Sequence, residues 1–279
     1  MLASQRHARI LERVNALGAV RVADLVTELG VSDMTVRRDI EHLARRDLLE
    51  RVHGGAVAAG DHAELSRTQP SADEPGFTAK SHLMQRAKAA IAREAATLVE
   101  PGAAIALSAG TTTVALAREL RAIPGLTIVT NSVPVAQALA GSASAAGHTV
   151  VLTGGTRTPS EALVGPIAVQ ALRGLHVDLV FLGVHGLDLK AGLTTPNLVE
   201  AETNRALIQS GRSLCVVADH TKWGIVGLGT IVGLDAVATL VTDAGLPADA
   251  RASVADVVGR LVVTDVPAQL VTTSSGPVA

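Results

Sequence analysis

Aromatic residues are almost missing from this chain: one tryptophan, two phenylalanines and no tyrosine among 279 residues. That scarcity argues against a surface for stacking sugars or bases and leaves alanine, valine and leucine to build the core. Cysteine is as scarce. The single thiol, Cys215, lies in the apolar run SLCVVAD, which predicts a buried packing residue, and no disulfide can form within the chain. Net charge is only −2, so no global excess of either sign points to nucleic acid. No stretch reaches the ~18 apolar residues of a membrane span. The opening MLASQRHARILERV breaks its apolar positions with arginines, where a secretory signal needs an uninterrupted run. These absences predict a cytoplasmic protein without a membrane partner. The nine histidines show neither HExxH nor cysteine–histidine spacing, so neither a metal site nor a cofactor is expected.

The chain is long enough for two unequal domains. Every basic residue of the first 57 is an arginine, nine against eight acids, so any basic face there must come from local arrangement. Ile10, Val14 and Leu17 fall at i, i+4 and i+7. Val22, Leu25, Val26 and Leu29 fall at i, i+3, i+4 and i+7, and two short amphipathic helices follow. Gly30 closes the second, and Ser32 caps a third in which Val36, Ile40 and Leu43 share one face. Helix, the turn GVS and helix make a helix-turn-helix pattern. Thr35, Arg38 and His42 then face outward, flanked by Arg37 and Arg45.

An arginine fork matches the acceptors of guanine in a major groove, while hydroxyls and a helix start suit phosphate oxygens. Ser32, Thr35, Arg37, Arg38 and His42 are therefore candidate DNA contacts. Behind them DLLERVHGGAV predicts strand, Gly54-Gly55 turn and strand, a small wing offering Arg51 and His53 to the DNA backbone or minor groove. The other reading of the helices is a three-helix protein-binding module with solvated arginines, and the wing directly behind them further favours DNA.

Residues 58–76 are polar, broken by Pro70 and Pro75, and predict a linker; residues 78–99 predict one long helix that packs on the core or pairs with another subunit. Beyond Pro101, short apolar runs alternate with helical runs, the pattern of an α/β fold with a largely parallel sheet. The expected division is 1–57, DNA-binding; 58–76, linker; 77–268, effector binding and oligomerisation; 269–279, a frayed tail.

Ligands of such sheets sit at the carboxyl ends of the strands. Four loops there carry anion-compatible groups: Ser108, Gly110, Thr111, Thr112 and Thr113 in SAGTTT; Asn131 in TNS; Gly154 and Gly155 in TGGT; Asp219 and Lys222 in ADHTKWG. Each alone is as readily a strand-to-helix cap. Together they point to a phosphorylated small molecule held by the GTTT amides and Lys222. GLGTIVG has the wrong spacing for a dinucleotide fingerprint, and Trp223 reads as a packing residue or pocket wall.

From about Arg6 to Leu246 the chain resembles the DeoR family of bacterial transcription regulators. VSDMTVRRDIEHLARRDLLERVHGGAV is similar to that family's recognition helix and wing. GTTT, TNS, LTGG, LVGP, GLTTP, EAETNRALI and ADHTKWG resemble its effector-domain motifs in the same order. The resemblance implies an N-terminal winged helix-turn-helix domain and a larger Rossmann-like parallel-sheet domain related in fold to ribose-5-phosphate isomerase and glucosamine-6-phosphate deaminase. It also implies a repressor of carbohydrate-metabolism genes that binds a double-stranded DNA operator as a homo-oligomer, dimer or tetramer, under control of a phosphorylated sugar or sugar-pathway intermediate. Ser108, His185 and His220 depart from the family pattern near the expected pocket, where an aspartate and two serines are usual. His185 and Glu202 join the four loops as candidate effector contacts. Two other readings stand beside this one. An isomerase- or deaminase-like enzyme would use Glu200, Glu202 and Asp219 as its acids, and a scaffold would oligomerise through residues 78–99.

Overall fold

The computed structural model describes residues 6, 7, 9–11, 13, 14, 19–44, 48–52, 55–58, 77–140 and 146–266. The chain divides into two compact units, Met1–Thr68 and Gln69–Ala279.

In the first unit, helical residues between 6 and 14 precede β1 (Ala19–Arg21), α1 (Val22–Leu29), α2 (Asp33–Ala44), β2 (Leu49–Val52) and β3 (Gly55–Ala58). The expected periodicities form its core, with Ile10, Val14, Leu25, Val36, Ile40 and Leu43 all buried together. Gly30 takes a φ of 64° and its N–H donates to the Val26 carbonyl at 3.0 Å, closing α1 in the left-handed conformation that glycine accepts without strain. The wing has a third strand that the two-strand expectation lacks. Ala19, Val20 and Arg21 pair antiparallel with Val57, Ala56 and Gly55, giving the order β1-β3-β2. Three residues are too few to display an alternation, so only the pairing reveals this strand. Ala58, the first residue of the expected 58–76 linker, belongs to β3; Arg45, His53, Gly54, the rest of that linker and the expected tail 269–279 lie outside the described residues.

The second unit opens on two helices, α3 (Phe77–His82) and α4 (Gln85–Ala96), where one long helix was expected. The break falls at Met84, whose φ is 51°. Lys88, buried in α4, folds its ammonium back onto the Lys80 and Leu83 carbonyls at 2.7 and 2.6 Å, satisfying acceptors that a broken helix exposes.

Seven parallel strands follow in the order β15-β14-β12-β9-β4-β5-β6. The central ones are β4 (Ala104–Leu107), β5 (Thr127–Thr130), β9 (Leu179–Leu182) and β12 (Leu214–Val217); β6 (Thr149–Leu152), β14 (Thr239–Asp243) and β15 (Leu261–Thr264) complete the sheet. β4, β9 and β12 are buried along nearly their whole length because apolar clusters cover both faces. Cys215, in β12, is among these buried residues, and burial pushes its thiol up to about 12. A hairpin of β7 (Thr156–Arg157) and β8 (Leu163–Val164) and an antiparallel sheet of β10 (Gly186–Asp188), β11 (Gly192–Thr195) and β13 (Gly229–Val232) lie beyond the strand ends. From β4 the chain builds outward through β5 and β6, then returns to add β9, β12, β14 and β15 on the other side. Strand order reverses between β4 and β9, the place where such sheets open a crevice at their carboxyl ends.

Candidate DNA face and effector cleft

On the winged unit, Ser32 caps α2: its hydroxyl accepts the Thr35 N–H at 3.3 Å and lies 2.9 Å from the Thr35 hydroxyl. Arg37 and Arg38 are exposed, and Arg37 is drawn back to Asp33 one turn earlier. His42 is exposed and stacks on His7 with ring centroids 5.0 Å apart. Arg51 has its backbone in β2, and His53 is outside the described residues. One structural residue was passed over in the sequence. Asp39, in the middle of α2, is buried and receives Arg6 Nε at 2.7 Å, with His7 Nε2 at 2.9 Å, so the chain start is tied to the recognition helix. Burial pushes the Asp39 carboxyl up, but those two partners outweigh it and hold it below the ordinary carboxylate range.

In the second unit a cleft lies at the strand-order reversal, between the loop after β4 and the loop after β9. Its volume is about 710 Å³, the open solvent at its mouth included. Gly110, Thr111 and Thr112 line one wall at the start of α5 (Thr111–Leu120). The first N–H groups of a helix have no carbonyl one turn back and carry the positive end of its dipole. Lys222 and Lys80 also line the cleft, as does His185. Lys88 lies close enough that the charges of Asp219, Lys222 and Lys80 all act on it; burial, the largest influence, lowers its pKa to about 8. Two lysines thus line the cleft on the side of the α5 start, with a third acting from behind, and positive charge of this kind suits an anion.

The opposite wall comes from α6 (Leu198–Gln209). Glu200 and Asn204 line the cleft, whereas Glu202 is exposed and absent from the lining. The helix explains the difference. Residues four apart share a face, and residues two apart point about 200° away from each other. Glu200 is buried and accepts the hydroxyls of Thr158 at 2.6 Å, Thr195 at 3.4 Å and Ser160, which fix its carboxylate in place.

Other expected effector residues build the walls from behind. Ser108 Oγ accepts the Gly183 N–H at 2.9 Å, joining the two loops. Asn131 accepts the Ala109 N–H at 3.0 Å and donates to the Leu163 carbonyl at 3.1 Å. Thr113 donates to the Gly110 carbonyl at 2.8 Å. Asp219 caps the short turn His220–Lys222, accepting the Thr221 N–H at 3.1 Å. None of these four lines the cleft, nor does Gly154 or Gly155. Gly155 has a packing role: at a φ of 119°, a Cβ there would lie 2.6 Å from the Val164 carbonyl oxygen. His220 is turned to buried Asp243, with Nδ1 at 2.7 Å from Oδ2. Phe77, Lys80, Ser160, Thr195 and Asn204 join the lining without having been singled out. Helical spacing from Glu200 would have found Asn204; the others belong to segments whose approach to the cleft is purely tertiary.

Comparison with known proteins now bears on the two units. The DeoR-like helix-turn-helix domain matches residues 6–61, and the DeoR C terminal sensor domain matches residues 84–244. A putative aga operon transcriptional repressor of Escherichia coli O157:H7 is 34% identical over 247 residues, covering 88% of each chain. The HTH-type transcriptional regulator GlpR of Haloferax volcanii is 35% identical, covering 90% of this chain and 94% of its own. A glycerol-3-phosphate regulon repressor of Haemophilus influenzae is 32% identical, covering 83% and 87%. Ribose 5-phosphate isomerase A of Methanocaldococcus jannaschii aligns over 49% of this chain and 53% of its own, at 18% identity and a TM-score of 0.36, too slight a likeness to argue from. The relatives are regulators, which disfavours the isomerase or deaminase reading. Matched in both units and along most of its length, the chain belongs to the DeoR family of DNA-binding transcriptional regulators.

Proposed function

We propose that the chain is a repressor of carbohydrate-metabolism genes whose hold on its operator is set by a phosphorylated sugar or sugar-pathway intermediate in the cleft. The observation that carries this reading is the pairing of Lys222 and Lys80 with the amide-rich start of α5 on one side and a fixed carboxylate, Glu200, on the other. The cations and amides suit a phosphate. Glu200 and Asn204 suit the hydroxyls of a sugar, since a carboxylate accepts and an amide does both. The relatives named for a glycerol-3-phosphate regulon and for the aga operon support the ligand class.

In this reading, residues 1–57 dock on DNA through Ser32, Thr35, Arg37, Arg38, His42, Arg51 and His53, and residues 77–268 sense the ligand. Two winged units of a dimer or tetramer occupy half-sites related by the operator's symmetry. A ligand that prefers one arrangement of subunits by about 1 to 3 kcal/mol suffices for a switch. In this reading the protein works in the cytoplasm, where its operator lies; no helix among the described residues is long and apolar enough to cross a membrane.

The test is fluorescence anisotropy on promoter DNA, titrated with glycerol 3-phosphate and a panel of sugar phosphates beside their unphosphorylated counterparts. A change in affinity with a phosphorylated member alone, lost in Lys222→Ala and Glu200→Gln, is the expected result. DNA binding that no member alters, or that responds equally to the free sugar, refutes the phosphate site.

A further inference from the structure

The first turns of the recognition helix carry a side chain that neither the core nor the family reading uses. Met34 is 67% exposed, among the most exposed large apolar residues described. It is not a core residue out of place: Val36, Ile40 and Leu43 fill the inward face of α2 at 0%, 1% and 1% exposure, and Met34 lies about 200° around the helix from Val36. Its neighbours are occupied with one another, Asp33 with Arg37 and Ser32 with Thr35. Arg38, one turn further along, shares the outward face with Met34 and is exposed as well.

A thioether has no proton to donate and accepts weakly. It gains little beside a phosphate, and on base edges in a major groove the polar groups offer it no good partner. The groove does present one methyl group, the C5-methyl of thymine. A flexible, polarisable chain such as methionine packs well on a group of that size. We infer that Met34 reads sequence directly, packing on a thymine methyl in each half-site beside the base contacted by Arg38. Residues four apart on a helix are separated by ~6 Å along its axis, so the thymine lies within about two base-pair steps of that base. The inference rests on DNA binding by the winged unit and is independent of what fills the cleft.

The experiment uses the full chain and a duplex selected by it from a random pool. Each thymine is replaced in turn by uracil, which removes the methyl and leaves every hydrogen-bonding group, and affinity is read by anisotropy. The expected result is one position per half-site where uracil weakens binding about fourfold, the effect of one methyl-sized group losing its apolar contact. Met34→Ala should bind thymine and uracil duplexes alike, and Met34→Leu should keep the distinction. A wild-type protein indifferent to uracil everywhere overturns the inference, as does Met34→Ala that still discriminates at the same position. Loss of affinity in Met34→Ala without loss of discrimination would assign the side chain to contact with another protein copy instead.

Discussion

The winged unit and the sensor unit organise their functional groups in opposite ways. On the winged unit the proposed contacts Ser32, Arg37, Arg38 and His42 are exposed, with Ser32 bonded to Thr35, Arg37 to Asp33 and His42 stacked on His7. In the sensor the cleft is framed by buried polar groups, Ser108, Asn131, Glu200 and Asp219, each satisfied within the protein. A surface that meets a rigid, highly charged duplex can leave its final arrangement to the partner. A cleft that must recognise a small ligand has to be assembled beforehand, because a buried donor or acceptor without a partner costs more than the bond it would make.

The largest expected effect separates the units by stability. Gly155→Ala places a Cβ against the Val164 carbonyl at a left-handed φ, which should cost about 2 to 5 kcal/mol. Denaturant unfolding should then show the sensor's midpoint falling while the winged unit's transition stays put; a shared fall would mean that the units unfold as one. Next, Arg38→Ala should weaken operator binding ten- to a hundredfold, the worth of one good arginine–guanine pair, without moving either unfolding midpoint. An unchanged affinity in anisotropy would remove Arg38 from the groove.

The two units should also answer to pH from opposite ends. Asp39 has its folded pKa held below the ordinary carboxylate value by Arg6 and His7 against the upward push of burial. Its contribution is therefore present above the ordinary carboxylate range and lost as pH falls through the folded value, and the winged unit should weaken on acidification. Lys88 has its pKa lowered by burial from 10.5 to about 8. Between those values the folded sensor binds fewer protons than the unfolded chain, so its stability should rise with pH across that window. Unfolding midpoints against pH, with Asp39→Asn and Lys88→Met, would check both slopes; a variant that leaves its slope unchanged points to another titrating group. The smallest effect should be that of Arg37→Ala on folding. The Arg37–Asp33 pair is exposed on both sides, and such pairs seldom stabilise measurably.

Much of this organisation was legible in the chain because it is periodic or local. The inward face of α2, the Ser32 cap and the alternation of buried strands with helices are short-range patterns. The loops at the switch point were legible too, since Gly110, Thr111 and Thr112 follow an apolar strand directly. What the sequence hid was tertiary. Lys80 and Phe77 line the cleft from α3, the segment that the break at Met84 sets off from α4 and whose Lys80 carbonyl Lys88 binds. Glu202 was preferred to Glu200 for lack of a helical phase, and Asn131 and Asp219 resemble ligand groups in sequence because the bonds that occupy them come from distant or sharply turned backbone.

Trp223 follows cleft-lining Lys222 directly, its backbone N–H donating to the His220 carbonyl at 3.2 Å, and its side chain packs partly buried against the main core. With no other tryptophan and no tyrosine in the chain, the protein carries a single native fluorophore, placed beside the proposed phosphate site and missing from the winged unit. Excitation at the red edge of indole absorption would report the state of the sensor alone, so ligand binding can be followed on the unlabelled protein without any contribution from side chains of the winged unit.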